Sequence, residues 1–397
     1  MPLIIHDSHD ILNRRNGTSG VDDITAALEH NGRVCQIKLR YLTSSQLEYL
    51  TDPAAMQKPF PELTDLYLRV FVDDGPGRIL PDSFLGGTTP RLRSLYLNNV
   101  PFPGLPKLLL SATHLVKLNL YGIPRSGYIL PKAMATSLSA LTSIEFLRLD
   151  FRYPRPRSAL GSRRPPPPPF TRSILPSLTE IRFKGVSEYL EEILARIDAP
   201  RLNLLRIAFF NQIIFDTPHL FQFISRRPTL TAPGKGHIEF RSNAIAVKFR
   251  SQTSDYEELS MEIRCTASEW QLSFLEQVCT SSLPPASALE DLYVSENRDW
   301  PPHWQDDVEN TLWLDVLSPF VAVRNLYLSE EYVSRIAPAL QELVGVRTIE
   351  VLPTLENIFM EGFQTSEPLQ EGIGKFVAAR QLTDRPVTVS SWNRDSK

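Results

Sequence analysis

An α/β solenoid is predicted for this chain, with a parallel sheet on the concave side, helices on the convex side, and an irregular central stretch. Three observations predict it. A phrase of the form apolar-x-x-apolar-x-apolar starts at Leu63, Leu92, Leu115, Ile144, Leu178 and Leu202. It resumes at Leu289, Val323 and Val346, with a last copy at Leu355. The first six copies are spaced 29, 23, 29, 34 and 24 residues apart, and a period in the twenties with this phrase marks leucine-rich repeats stacked as a horseshoe. Between the copies lie segments with helical periodicity. Each phrase ends in strand alternation, and a lone strand cannot bury its apolar face. Strands stacked from successive repeats can, around one continuous core.

Residues 1–20 are polar and terminal, and read as disordered. The solenoid is expected over 21–366. Its first helix is "DDITAALEHNG", with Asp22 as N-cap and Asn31-Gly32 as stop. "VCQIKL" (34–39) is a short opening strand. In "TSSQLEYL", Thr43 and Gln46 have the spacing of a capping box. "SEYLEEILARI" places Tyr189, Leu190, Ile193, Leu194 and Ile197 on one helical face, leaving Glu191 and Glu192 on the wet one. "DTPHLFQFISRR" and "SEEYVSRIAPALQELV" are similar helices. Over 152–173, five consecutive prolines favour polyproline II. That stretch is a solvated loop between repeats, or a ligand for a proline-binding domain flanked by Arg163 and Arg164. Residues 230–265 carry extra strands, read as a hairpin plus one disguised repeat strand, so the array bends here or holds a small inserted sheet. A helix follows over 268–279. The tail, 367–397, suggests a helix and then a short strand that cap the open end.

The consensus fails in one place. Leucine-rich repeats put Asn or Cys three residues after the last leucine, to satisfy turn backbone groups. Here those positions hold Phe71, Val100, Ile123, Arg152, Val186 and Phe210; only Asn297 fits.

Composition excludes several classes. The 397 residues carry 42 Lys+Arg against 45 Asp+Glu, a net charge of −3, which gives no bulk drive toward nucleic acid or an anionic membrane. No signal peptide is visible, and no apolar run reaches the roughly 18 residues of a membrane span. The three cysteines, Cys35, Cys265 and Cys279, suit neither a disulfide framework nor a zinc site. They fit a reducing compartment, cytoplasm or nucleus. "NGT" at Asn16 matches a glycosylation acceptor by chance.

Motifs that suggest chemistry lack partners. His6 and His9, with Asp7 and Asp10, sit in the polar terminus. "APGKGH" (232–237) lacks the full phosphate-loop spacing, and His303 in "PPHWQDD" has no partner set. No nucleophile elbow or Cys/His signature occurs. The expectation is no enzyme, no cofactor and no metal. An enzyme whose carboxylate pair is assembled only by the fold is the remote alternative.

The face that remains is the outer face of the strands. Between the last two apolar positions of each phrase stand Tyr67, Tyr96, Asn119, Arg148, Arg182 and Arg206, then Tyr293, Tyr327 and Glu350. Neighbouring strands lie ~4.8 Å apart, so stacking turns these residues into one ladder. Tyr and Arg are enriched at binding hot spots, and Arg grips carboxylate or phosphate with a planar fork. The ladder is the candidate partner-binding surface, and its arginines suit an acidic or phosphorylated segment. Asp150 and Glu180 also point outward and partly neutralise them.

Several segments go further. "ALEHNGRVCQIKL" (27–39), "PFPELTDLYL" (59–68), "SRRPPPPPF" (162–170), "GVSEYLEEILARIDAPRL" (185–202) and "FDTPHLFQFISRRP" (215–228) resemble the leucine-rich-repeat region of the F-box proteins of mushroom-forming fungi. "LPTLENIFMEG" and "FVAARQL" resemble their C-terminal end. The resemblance implies a substrate receptor of a cullin–RING ubiquitin ligase, with repeats that choose the target, an F-box that docks on a Skp-type adaptor, and no catalytic residues. No F-box is expected within these residues, since "HDSHDILNRRNGTSG", ahead of Val21, is not a helical trio; either the chain is truncated at its start, with the F-box and its adaptor contact upstream, or it is a repeat-only relative. A stand-alone repeat scaffold, or a decoy with no ligase coupling, is therefore the alternative.

Overall fold

The computed structural model describes residues 1–6, 19–51, 56–71, 79–154, 172–211, 216–231, 234–251, 258–265, 270–281, 283–302, 310–343, 350–362 and 367–394. The five-proline run, Asn16, His9, His303 and the phrase starting at Val346 fall outside them. The chain divides into two compact units, Met1–Leu202 and Asn203–Lys397.

In the first unit, β1 (Leu3–His6), β2 (Val34–Leu42), β3 (Asp65–Val70), β4 (Ser94–Asn98), β5 (Lys117–Ile123) and β6 (Phe146–Phe151) pair in chain order, all parallel. A two-residue strand, β7 (Ser173–Ile174), leaves the sheet to pair with β9 (Ile197–Asp198), while β8 (Glu180–Gly185) follows β6. The register puts Ile37, Leu66, Leu95, Leu118, Leu147 and Ile181 in one buried row. The first leucine of each phrase, at Leu63, Leu92, Leu115, Ile144 and Leu178, is 0% exposed. Each such side chain contributes about 1.5–3 kcal/mol of burial, which only the stacked neighbours make available.

The helices Ser44–Thr51, Leu105–Ser111, Pro131–Leu138 and Ser187–Leu194 each bury leucines, and those of the last meet that row. Under the sheet, Leu190, Ile193 and Ile197 meet Leu147 and Ile181 around a cavity of about 10 Å³, room for one water at most. The capping box forms: Thr43 N–H donates to Gln46 Oε1 at 2.9 Å, and Gln46 N–H to Thr43 Oγ1 at 3.2 Å.

Three expectations need correction here. Residues 3–6 of the segment read as disordered form the edge strand β1, because Ile5 finds a buried place beside Ile37. The first helix starts at Ser19, so Asp22 lies in its first turn rather than at the cap, where it accepts the Tyr49 hydroxyl at 2.7 Å. Glu191 is only 9% exposed, while Glu192 pairs with Arg196 at 3.1 Å.

The second unit runs in the order β10-β13-β12-β11-β14-β15-β16-β17. Its strands are β10 (Leu204–Phe209), β11 (Lys235–Arg241), β12 (Ala244–Arg250), β13 (Glu258–Arg264), β14 (Asp291–Glu296), β15 (Asn325–Leu328), β16 (Asn357–Glu361) and β17 (Thr388–Trp392). The irregular stretch is a three-stranded meander spliced into the sheet in reverse order. β11–β12 and β12–β13 are antiparallel, while β13 lies parallel to β10 and β11 parallel to β14. Asn297 takes the consensus turn role: its Oδ1 accepts the N–H groups of Asp299 and Trp300 at 3.2 and 3.0 Å. The tail forms the helix Glu367–Leu382 and then β17, parallel to β16. Arg380 in that helix is 0% exposed and donates to Leu355 O at 2.9 Å, satisfying a carbonyl where the last phrase enters its strand.

Candidate protein-binding face

Alternation sends every second side chain of β2–β6 and β8 to the face opposite the buried leucine row, and the register lines them up. The central row reads Lys38, Tyr67, Tyr96, Asn119, Arg148 and Arg182. All five residues expected on the ladder within this unit are consecutive rungs, with Lys38 as a sixth. The Tyr67 and Tyr96 rings stack at 4.1 Å and 2°, with the Arg40 guanidinium 5.8 Å from the Tyr67 ring. Burial, then the hydrogen bond with Tyr96, raises the Tyr67 phenol, which stays neutral at physiological pH.

The arginines are held by their own neighbours. Arg148 lies 4.3 Å over the Tyr121 ring and donates to Asp150 at 3.2 Å. Arg182 packs 5.6 Å from the Phe146 ring and pairs with Glu180. Lys184 reaches the other Asp150 oxygen at 3.4 Å, so this carboxylate, 5% exposed, sits under two cations. Cations still outnumber acids on this face: Lys38, Arg40, Arg69, Lys117, Arg148, Arg182 and Lys184 stand against Asp65, Asp150 and Glu180. The arrangement can hold an anionic group against a pre-oriented guanidinium pair, Arg148 and Arg182 being directly opposite each other on β6 and β8.

In the second unit the row runs Arg206, Ser260, Lys248, His237, Tyr293, Tyr327, Phe359 and Ser390. Arg206 ends it, paired with Glu258 at 3.1 Å. His237, Tyr293, Tyr327 and Phe359 form one column of rings, stacked at 4.5, 4.1 and 4.5 Å with interplanar angles of 9°, 11° and 9°. Beside it runs a polar row: Thr388 donates to Asn357, Asn357 to Asn325 at 2.8 Å, and Asn325 to Asp291 at 2.7 Å.

One ladder expectation fails in this unit. Glu350 lies exposed in a turn; the rung beside Tyr327 is Phe359, from the phrase that starts at Leu355. Tyr293 is on the row but only 3% exposed, because Trp392 leans over it and over Tyr327. Burial, then the neighbouring Tyr327 and Asp291, pushes its phenol well up. His237 and Lys248 were hidden from the sequence by the reversed meander, although alternation in "GHIEF" already sends His237 and Glu239 to one side.

The meander's outer face is a closed charge network. Glu239 accepts from Arg241 at 2.7 Å, Lys248 at 3.1 Å and Asn297 at 3.1 Å, and Arg241 also reaches Glu262 at 3.0 Å. Burial works to raise the Glu239 carboxyl, but the hydrogen bonds from Arg241 and Asn297 and the charges of Lys248 and Arg241 outweigh it, holding the group at about 2.

Among the described residues no group of three His, Cys, Asp or Glu side chains is placed to hold a metal ion, and no helix is long and apolar enough to cross a membrane. The three cysteines are free thiols, and burial pushes Cys265 up to about 12.

No family model matches the chain, and no curated protein matches it. Among solved structures it is similar to the leucine-rich repeat-containing protein LegL7 of Legionella pneumophila, with 14% identity over 95% of this chain and 97% of that one, and a TM-score of 0.33. That likeness is too loose to carry an argument about partners. The fold stands on the register: successive leucine phrases stacked side by side in parallel, as leucine-rich repeats.

Proposed function

We propose that the protein is a protein-interaction module, and that the sheet face of its Met1–Leu202 unit captures an acidic or phosphorylated segment of a target. The carrying observation is the opposed pair Arg148 and Arg182 in a row whose cations exceed its acids. A phosphoserine-containing acidic peptide array, probed with the full chain, tests it. Charge reversal by Arg148→Glu with Arg182→Glu lowers binding at least about tenfold, as expected when desolvated cations meet an anion. Lys132→Glu, on the exposed side of the helix Pro131–Leu138, leaves it unchanged. Equal losses from both variants refute the assignment.

The resemblance to fungal F-box proteins supports a finer reading: target recognition for a cullin–RING ubiquitin ligase, in the cytoplasm or nucleus. The second reading is a stand-alone scaffold or decoy with no ligase coupling. Co-purification with a Skp-type adaptor separates them. Capture of the adaptor makes the protein a ligase subunit; no capture favours the scaffold.

A further inference from the structure

The chain's own tail lies on the sheet face of the second unit. Trp392 is the last residue of the edge strand β17, paired with Glu361 of β16, and from there its side chain reaches back over the sheet face. Trp392 packs its indole 5.5 Å from Tyr327 and 5.8 Å from Tyr293, at 66° and 55°. Two residues on, Arg394 reaches β14: Nη2 donates to Glu296 O at 2.9 Å and to Ser295 Oγ at 3.1 Å, and Nη1 to Glu296 Oε1 at 3.4 Å. One aromatic side chain and one guanidinium, spaced i and i+2, thus fill one aromatic floor and one acidic rim. That is the bonding pattern of an anchored peptide rather than of another repeat. The fit also has a flaw: Trp392 Nε1 is buried with no hydrogen-bond acceptor. A desolvated donor without a partner weakens the contact, and a phenyl ring in the same place has no donor to strand.

We infer that Tyr293, Tyr327 and Glu296 form a recognition site for a protein segment of the form aromatic-x-Arg, and that residues 392–394 are its tethered occupant. A partner bearing Phe followed two residues later by Arg displaces the tail and takes its place. The inference rests on the second unit alone and is independent of the anion-binding reading of the first. A tethered occupant competes at an effective concentration of millimolar order, so the site is closed to weak ligands until the tail is released.

The test uses the full chain and its double variant Trp392→Ala/Arg394→Ala, with a fluorescein-labelled peptide of residues 388–395 and its Trp392→Phe form, read by anisotropy. The peptide is expected to bind the variant at least about tenfold more tightly than the wild type, as removal of a tethered competitor requires. The Phe form binds more tightly than the Trp form, and a peptide with Arg394→Glu does not bind. Circular dichroism and thermal melting show that the variant is folded. No binding to the folded variant, or equal binding to variant and wild type, overturns the inference. Binding that survives Arg394→Glu in the peptide also overturns it, because the acidic rim then selects nothing.

Discussion

Glu239 shows how a surface residue acquires a structural role. Its carboxylate gathers two cations and an amide, and the carboxyl sits at about 2. The folded-state value lies below the unfolded one, so the group adds stability above roughly pH 4.5 and loses it as pH falls toward 2. Glu239→Gln is expected to cost about 1 kcal/mol at neutral pH, less than the full shift implies because the network is partly solvated. Urea titrations at pH 7 and pH 3 check this: the gap between wild type and variant narrows at the lower pH. A gap that widens removes the carboxylate from the account. At the same scale, Tyr293 marks what alternation can and cannot say. Its position in the phrase fixes which side it faces. Its burial depends on Trp392, about a hundred residues away, and no local pattern reports such a contact.

Among the elements, the repeat strands were legible in the sequence, as were the hairpin and the extra repeat strand of 235–264, but the order in which those three strands enter the sheet was not. Leu92, Leu95 and Leu97 announce a strand by themselves, and stacking in chain order follows. In 235–264 each strand also alternates, so its existence is visible, but the spatial order is decided by which edges meet. β12 is buried along most of its length, with Ala244 and Ala246 covered by the charge network, so its two faces look alike in sequence. The last rung was misplaced for a related reason: the phrases at Val346 and Leu355 are 9 residues apart, and only one of them can be the next repeat. β17 offers a test at this scale. It is held by β16 and by the amide row ending at Asn357. Asn357→Ala removes a donor to Asn325 and the acceptor of Thr388, an expected cost of about 1–3 kcal/mol. Hydrogen exchange should quicken first at 388–392 and little at β14. Uniform quickening would mean that the row does not act as a local clasp.

For the molecule as a whole, nearest-neighbour stacking means that damage stays where it is made. Leu95→Ala, in the first unit, and Ile358→Ala, in the second, each create a buried cavity and should cost about 2–5 kcal/mol. They lie in different units, so the double variant should equal the sum of the singles within about 0.5 kcal/mol. Separate unfolding steps in calorimetry would accompany this if the two units melt as independent blocks. A single sharp transition with strongly non-additive losses contradicts the one-dimensional picture.

The meander obeys a parity rule. β10 and β14 run in the same direction as the strands that meet them, β13 and β11, and the polarity between is restored only because one reversed strand separates those two. An insertion of two hairpin-linked strands would present the wrong direction to one neighbour, and that border would have to switch to antiparallel bonding. Hairpin insertions that leave both parallel borders intact therefore come in odd numbers: one, three or five strands. Lineages that lengthen or shorten this region should change it in steps of two.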